Sequence, residues 1–290
     1  MSSNIQPFVW RDRPALIESL FPVQKLSVES FKERKAGAGQ TLVPLGAYWK
    51  GRKPLILNKA CILGCLLPAT DDPKRDLEIF EMLMAMDDES FVVRWPRRRR
   101  PKEILADLHM EGIRGFFESD PPTALSDNAP VDWSKPELKD VTVSWIPSVP
   151  EEDRRRIEAR LLPKTGYRKR VESAKRPEEV SETGHDHIWR AVNSYLQTDA
   201  QSLPELIGQM GLMRFGHTPR LADVFSGSGQ IPFEAARLGC EVHASDLNPI
   251  ACMLTWGAFH IVGGTDEERA GMESRQKALV QEVLKQIDDL

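Results

Sequence analysis

A chain of 290 residues is long enough for two ordinary domains, or for one domain with an appended module. With 41% hydrophobic and 28% charged residues its composition is globular, which excludes a disordered chain and a membrane-embedded one. A net charge of -4 gives no hint of nucleic-acid binding by the whole chain, so any such hint has to come from local clusters.

The segment Met1 to Pro7 has neither a basic nor an apolar signal region. The longest apolar run, Ala60 to Ala69, is far shorter than the roughly 20 residues needed to span a bilayer. The expectation is a cytoplasmic protein with no membrane partner. Ala15 to Phe21 is amphipathic and is interrupted by Pro22, and Gly37-Ala38-Gly39 marks a loop. Leu55 to Leu67 is apolar without strict alternation and predicts a buried helix. Cys61 and Cys65, four apart, fall on one face of it and read as buried free thiols. Neither they nor Cys240 and Cys252 form a CxxC pair, and no metal site is expected. Asp76 to Met86 has helical spacing.

Arg94-Trp95-Pro96-Arg97-Arg98-Arg99-Arg100-Pro101-Lys102 is the sharpest charge cluster. Arg97, Arg98, Arg99 and Arg100 beside a tryptophan suit phosphate contact and base stacking. The plainer reading is an exposed, solvated loop or a contact to a missing C-terminal part. Arg52 beside Tyr48 and Trp49 suits DNA contact likewise, with packing against the following domain as the competing view. Glu118 to Pro136 is rich in Pro, Asp and Ser and predicts a loop. Val141 to Ile146 reads as a strand, and Pro147 to Gly184 as an exposed, charged connection. His185-Asp186-His187 reads as a helix start rather than a metal site.

From Ile188 the pattern changes. Ile188 to Leu196 and Leu203 to Met213 predict helices. Leu221 to Phe225 is a short strand running into Ser226-Gly227-Ser228-Gly229, followed by a helix over Ile231 to Leu238 with Gly239 at its C-terminal cap. Glu241 to Ala244 is a second strand, Asp246 follows it, and Asn248-Pro249 opens a third helix. Glycines let the backbone approach a ligand, and a carboxylate after the second strand can accept both hydroxyls of a ribose. The dinucleotide fingerprint is Gly-x-Gly-x-x-Gly, and here Pro232 stands at the third glycine. The Asp223-x-Phe225-x-Gly227-x-Gly229 pattern instead resembles motif I of S-adenosylmethionine (SAM)-dependent methyltransferases.

The run Asp223 to Cys240, extended by Ala244 to Ala251, is similar to amino-methyltransferases. It resembles in particular the large DNA methylases that begin with the domain of unknown function DUF1156, some of them found among anti-phage defence genes. The N-terminal signature of that family is matched by Phe21 to Pro68, including Glu33-Arg34 and Tyr48-Trp49-Lys50-Gly51-Arg52-Lys53-Pro54-Leu55. The likeness covers residues 15 to 70 and 187 to 262. It implies methyl transfer to an exocyclic base amine, usually adenine N6, on a flipped base. It also implies SAM as cofactor, held by Asp223, Phe225, Gly227, Gly229, Asp246 and Asn248, and DNA as partner.

The family's Asp/Asn-Pro-Pro-aromatic motif is not seen. The similar tetrad, Asp120-Pro121-Pro122-Thr123, lacks the aromatic and reads as a loop. Catalytic residues are therefore left unknown. The expected fold is α/β: a mostly helical N-terminal region followed by the first β-α-β half of a Rossmann-like methyltransferase fold. The boundaries are a DUF1156-like region over 1-118, a loop and charged linker over 119-184, and the N-terminal part of the methyltransferase domain over 185-290. The chain then reads as a fragment or half of a split enzyme, with the missing catalytic portion or a partner subunit completing it. Two alternatives stay open: an RNA guanine-N2 methyltransferase, and a non-catalytic SAM- or DNA-binding subunit of a defence complex.

Overall fold

A computed structural model describes residues 5–37, 41–43, 46, 49–96, 98–107, 113–121, 132–162, 166–180 and 188–288. The fold is mostly helical with small sheets. In chain order the helices and strands are α1 (Leu16–Ser19), α2 (Val23–Lys35), α3 (Leu55–Leu66), α4 (Pro73–Leu83), α5 (Asp88–Arg94), α6 (Pro101–Asp107), β1 (Phe117–Asp120), β2 (Thr142–Trp145), α7 (Glu151–Ala159), α8 (Tyr167–Ser173) and α9 (Trp189–Leu196). They continue as α10 (Leu203–Phe215), β3 (Arg220–Asp223), α11 (Gln230–Arg237), β4 (Glu241–Ala244), α12 (Pro249–Gly257) and α13 (Asp266–Asp288). None of the helices is long and apolar enough to cross a membrane among the described residues. The chain divides into two compact units, one of Met1–Pro73 with Gln197–Leu290, the other of Lys74–Leu196.

The first unit is built around α3. Its apolar run buries Leu55, Ile56, Ile62, Leu63 and Leu66, and α1, α2, α10 and α11 all pack on it. Its outward stripe is Leu57, Cys61 and Cys65, spaced one turn apart. The two cysteines do share a face, but it is the outward one: Cys61 is half-buried and Cys65 exposed, which corrects the expectation of buried thiols. Pro54 precedes the helix, and the first α3 amides are satisfied from α2. Glu33, 4% exposed, accepts from the Leu55 N–H at 2.7 Å and from the Ile56 N–H at 3.0 Å. A carboxylate at a helix N-terminus also complements the helix dipole.

The glutamate of the Glu33-Arg34 pair therefore holds the start of α3. Glu33→Gln keeps the size but removes the charge and one of the two acceptors. The loss expected is about 1 kcal/mol of folding stability. A lowered midpoint in urea denaturation followed by circular dichroism measures it, and an unchanged midpoint rules out the capping role.

At the other end of α3, Arg214 of α10 is 8% exposed. Its guanidinium donates to the carbonyls of Leu66 (3.0 Å), Leu67 (3.2 Å), Arg13 (2.9 Å) and Pro14 (3.3 Å). These carbonyls include helix-end acceptors with no partner further along α3. The C-terminal part of the unit joins the same core, where Leu55 and Val43 pack with Phe233 of α11 and with Ala258.

The second unit has its own core of Ile104, Leu105, Phe117 and Ile157, with Trp145 and Val143 against it. β1 and β2 pair antiparallel, Phe117 opposite Trp145 and Asp120 opposite Thr142. The stretch expected as an exposed connection forms α7 and α8. α7 has Glu151, Glu152 and Asp153 in its first turn and Arg156 in its last, the polarity that a helix dipole favours. Charges of both helices pair with other elements: Arg156 meets Glu89 at 3.2 Å, and Arg170 meets Asp88 at 2.7 Å. Arg94 is fully buried. It donates to the carbonyls of Ala85 (2.8 Å) and Lys175 (2.9 Å) and lies over the Phe91 ring at 4.4 Å. The arginine run therefore starts with a structural residue.

Candidate functional site

β3 and β4 run parallel, with Arg220 opposite Glu241 and Asp223 opposite Ala244, and α11 makes the crossover between them. Parallel strands joined by a helix bring both carboxyl ends to one edge, where ligands bind in such arrangements. The turn after β3 is sewn to the end of β4: Ser245 N–H donates to Asp223 O at 2.9 Å, and Ser226 N–H to Ser245 O at 3.0 Å. Gly227 and Gly229 both have positive φ, +51° and +74°. A side chain would be strained at either position, and a Cβ on Gly229 would lie 2.9 Å from the Thr255 backbone. Ser226 Oγ and Thr255 Oγ1, 3.0 Å apart, tie the turn to α12.

The structure brings the glycine turn and Asp246 together. The Gly227 N–H donates to one Asp246 carboxylate oxygen at 2.9 Å, and the Asn248 N–H to the other at 2.8 Å. The backbone amides of Asn248, Gly227 and Leu247 hold the Asp246 carboxyl below its ordinary pKa. Each oxygen retains a lone pair for a further donor. Asn248 caps α12, its side chain accepting from the Ile250 N–H at 3.0 Å. Asp223 accepts from the Phe225 N–H at 3.1 Å, and the Phe225 ring is 77% exposed.

Two buried polar atoms at this turn have no protein partner: Asp223 Oδ2 and Gln230 Nε2. Such atoms are costly unless something pairs with them, so the turn fits a polar ligand. An open cavity of about 330 Å³ lies between β4 and α12, lined by Val242, Thr255, Trp256 and His260 among others. It is lined also by Ser226, Ala244 and Ser245, so it adjoins the glycine turn and the carboxyl end of β4.

Gly46 and Trp49 also reach the turn, which the sequence pattern does not disclose. A Cβ on Gly46 would stand 2.6 Å from Ser228 Cβ, and one on Gly227 would stand 2.8 Å from the Trp49 indole nitrogen. Arg52 is half-buried, its N–H donating to Trp49 O at 3.2 Å. Tyr48 lies outside the described residues.

In the arginine cluster, Arg98 is engaged by carboxylates. Its guanidinium donates to Glu158 at 2.6 to 3.1 Å and to Glu151 at 2.8 Å. Glu158 is 4% exposed, and its hydrogen bond raises the Arg98 pKa further above the ordinary guanidinium range. Arg99 is half-buried and Arg100 exposed, while Arg97 lies outside the described residues. Asp120 closes a real strand, β1, in place of the expected loop. That strand pairs with β2 and not with the parallel sheet. Pro122 and Thr123, like His185-Asp186-His187, lie outside the described residues.

No curated protein and no solved structure was found to match the chain. Residues 20–83, which include α2, α3 and the Trp49 segment, match a family model described as Protein of unknown function (DUF1156), so the chain carries a DUF1156 domain.

Proposed function

We propose that this chain binds S-adenosylmethionine at the β3–α11–β4 edge and is the cofactor-holding portion of a DNA amino-methyltransferase. The observation that carries the reading is the meeting of the glycine turn with Asp246 at the carboxyl ends of two parallel strands. A positive-φ turn admits the backbone close to a ligand, and Asp246 offers acceptors to ribose hydroxyls. When bound, the cofactor supplies the methyl group, and the chain's own part is to hold and orient it. A Rossmann-like half-fold is the architecture this implies. Calorimetric titration with S-adenosylhomocysteine tests the reading: one-to-one binding is expected, and no heat at millimolar ligand overturns it.

Adenine N6 as the target and a role in anti-phage defence rest on resemblance. The reading that another polypeptide segment completes the sheet draws on two observations. Neither β3 nor β4 contains a buried residue, although parallel sheets are ordinarily covered on both faces. Leu279, Val280, Val283, Leu284 and Ile287 of α13 are exposed. The same observations favour, as a second reading, a SAM-binding subunit that acts only within a complex.

DNA contact is tested at the arginine cluster. Replacing Arg97, Arg99 and Arg100 with Gln is expected to lower DNA affinity alike for all sequences. The slope of log affinity against log salt should flatten by about 0.9 for each phosphate no longer neutralised. Arg98→Gln should instead lower the melting temperature, because it strands the buried Glu158. A salt slope unchanged in the triple variant assigns the cluster to structure alone.

A further inference from the structure

Two residues of the DUF1156 domain, Gly46 and Trp49, lie on the glycine turn. Gly46 has no side chain at a point where a Cβ would be 2.6 Å from Ser228 Cβ and 2.8 Å from Gln230 Nε2. That absence lets the chain come down onto the turn. Trp49, three residues on, places its indole N–H edge over Gly227, within 2.8 Å of where a Cβ would be. The Trp49 backbone N–H donates to Gly46 O at 3.1 Å, so these two residues are held together where both meet the turn. Gln230 is 3% exposed, and its side-chain nitrogen is unpartnered at the same place. α3, which follows the segment, is fixed against α11 through Leu55 and Phe233, so the approach is set by the core.

We infer that Trp49 is a cofactor-contacting residue, forming one wall of the cleft whose floor is Gly227 to Gly229 and whose acid is Asp246. This rests on the reading of that edge as a SAM site. A ligand held by Asp246 and lying along the turn meets the indole, which contributes a large apolar surface and one donor, the Nε1–H. The DUF1156 domain then supplies part of the cofactor site, and Trp49 is a binding feature as well as part of the lead into α3.

The test uses the whole chain with S-adenosylhomocysteine as probe, read by calorimetry and by tryptophan fluorescence. Wild type is expected to bind with a saturable fluorescence change. Trp49→Phe should keep the melting temperature, lose most of the fluorescence change, and retain binding within a few-fold. Trp49→Ala should lower affinity about tenfold, as removing an aromatic stacking surface does for a base. If Trp49→Ala fails to fold, Trp49→Phe alone carries the decision. An undiminished fluorescence change in Trp49→Phe overturns the wall and leaves the cofactor site standing. Binding of nothing by wild type overturns both.

Discussion

Incubation of the 290-residue chain with labelled S-adenosylmethionine and unmethylated DNA is expected to give no methyl transfer. On the proposed reading the β3–α11–β4 edge holds the cofactor, but transfer also requires the target amine to be held in line with the methyl group. Positioning of that kind accounts for about 7–11 kcal/mol of a barrier, so its loss removes measurable turnover. Methyltransferases of the type this sequence resembles use an Asp/Asn-Pro-Pro-aromatic tetrad for it, set on the parallel sheet. The one Pro-Pro pair in the sequence is Pro121-Pro122, followed by Thr123. Asp120 before it ends an antiparallel strand in the Lys74–Leu196 unit, while β3 and β4 belong to the other. Robust label transfer to DNA would falsify this view and make Asp120 the first residue to mutate. Activity restored only by adding a second polypeptide would fit the completed-sheet reading.

The second large effect is expected at Asp246. Asp246→Ala should weaken S-adenosylhomocysteine binding about 10- to 100-fold, the range for losing hydrogen bonds to a charged acceptor. Its effect on the melting temperature should be small, since the side chain lies at the sheet edge. Two backbone amides, those of Asn248 and Gly227, would lose their acceptor; water can replace it at the exposed Asn248, and the part-buried Gly227 amide carries what stability loss there is. The pH dependence follows from the lowered pKa. The carboxyl accepts hydrogen bonds with both oxygens only when ionised, and its lowered pKa keeps it ionised in the folded protein until pH falls below the ordinary carboxylate range. Affinity should therefore stay level through neutral and mildly acid solution and decline only below the ordinary carboxylate range. Calorimetry across that range checks it, and equal affinity for Asp246→Ala and wild type at neutral pH sinks the ribose assignment.

Much of this site can be read from local pattern. Strand, glycine turn, helix, strand and acid lie within one short stretch, and each step has a local signal: Gly227 and Gly229 for positive φ, Gly239 for the helix end, Asn248-Pro249 for the next start. α3 is equally plain from its apolar run. What stays hidden depends on partners distant in sequence. Nothing near Trp49 indicates that it meets Gly227, and nothing near Leu55 points to Phe233. β1 is obscured because its four residues precede a Pro-rich stretch and pair with a strand more than twenty residues later. α7 carries the signal of acids first and arginine last, but its few apolar residues give no periodicity to count. Arg98 shows the converse limit, since a run of cations reads as a free surface until its carboxylates are seen.

The clamp made by Arg214 has a consequence for how the protein forms. The guanidinium reaches Leu66 across 148 residues of chain. At synthesis rates of about 5–20 residues per second, α3 emerges roughly 7 to 30 seconds before the arginine that closes its end. In that interval α3 lacks the α10 and α11 surfaces that pack on it in the finished unit. The Lys74–Leu196 unit, whose contacts lie within the intervening stretch, can fold first. The nascent α3 is thus the segment that a chaperone would have reason to hold, and a ribosome-bound chain stopped before Arg214 should be cleaved by protease within residues 55–66 while the middle unit resists.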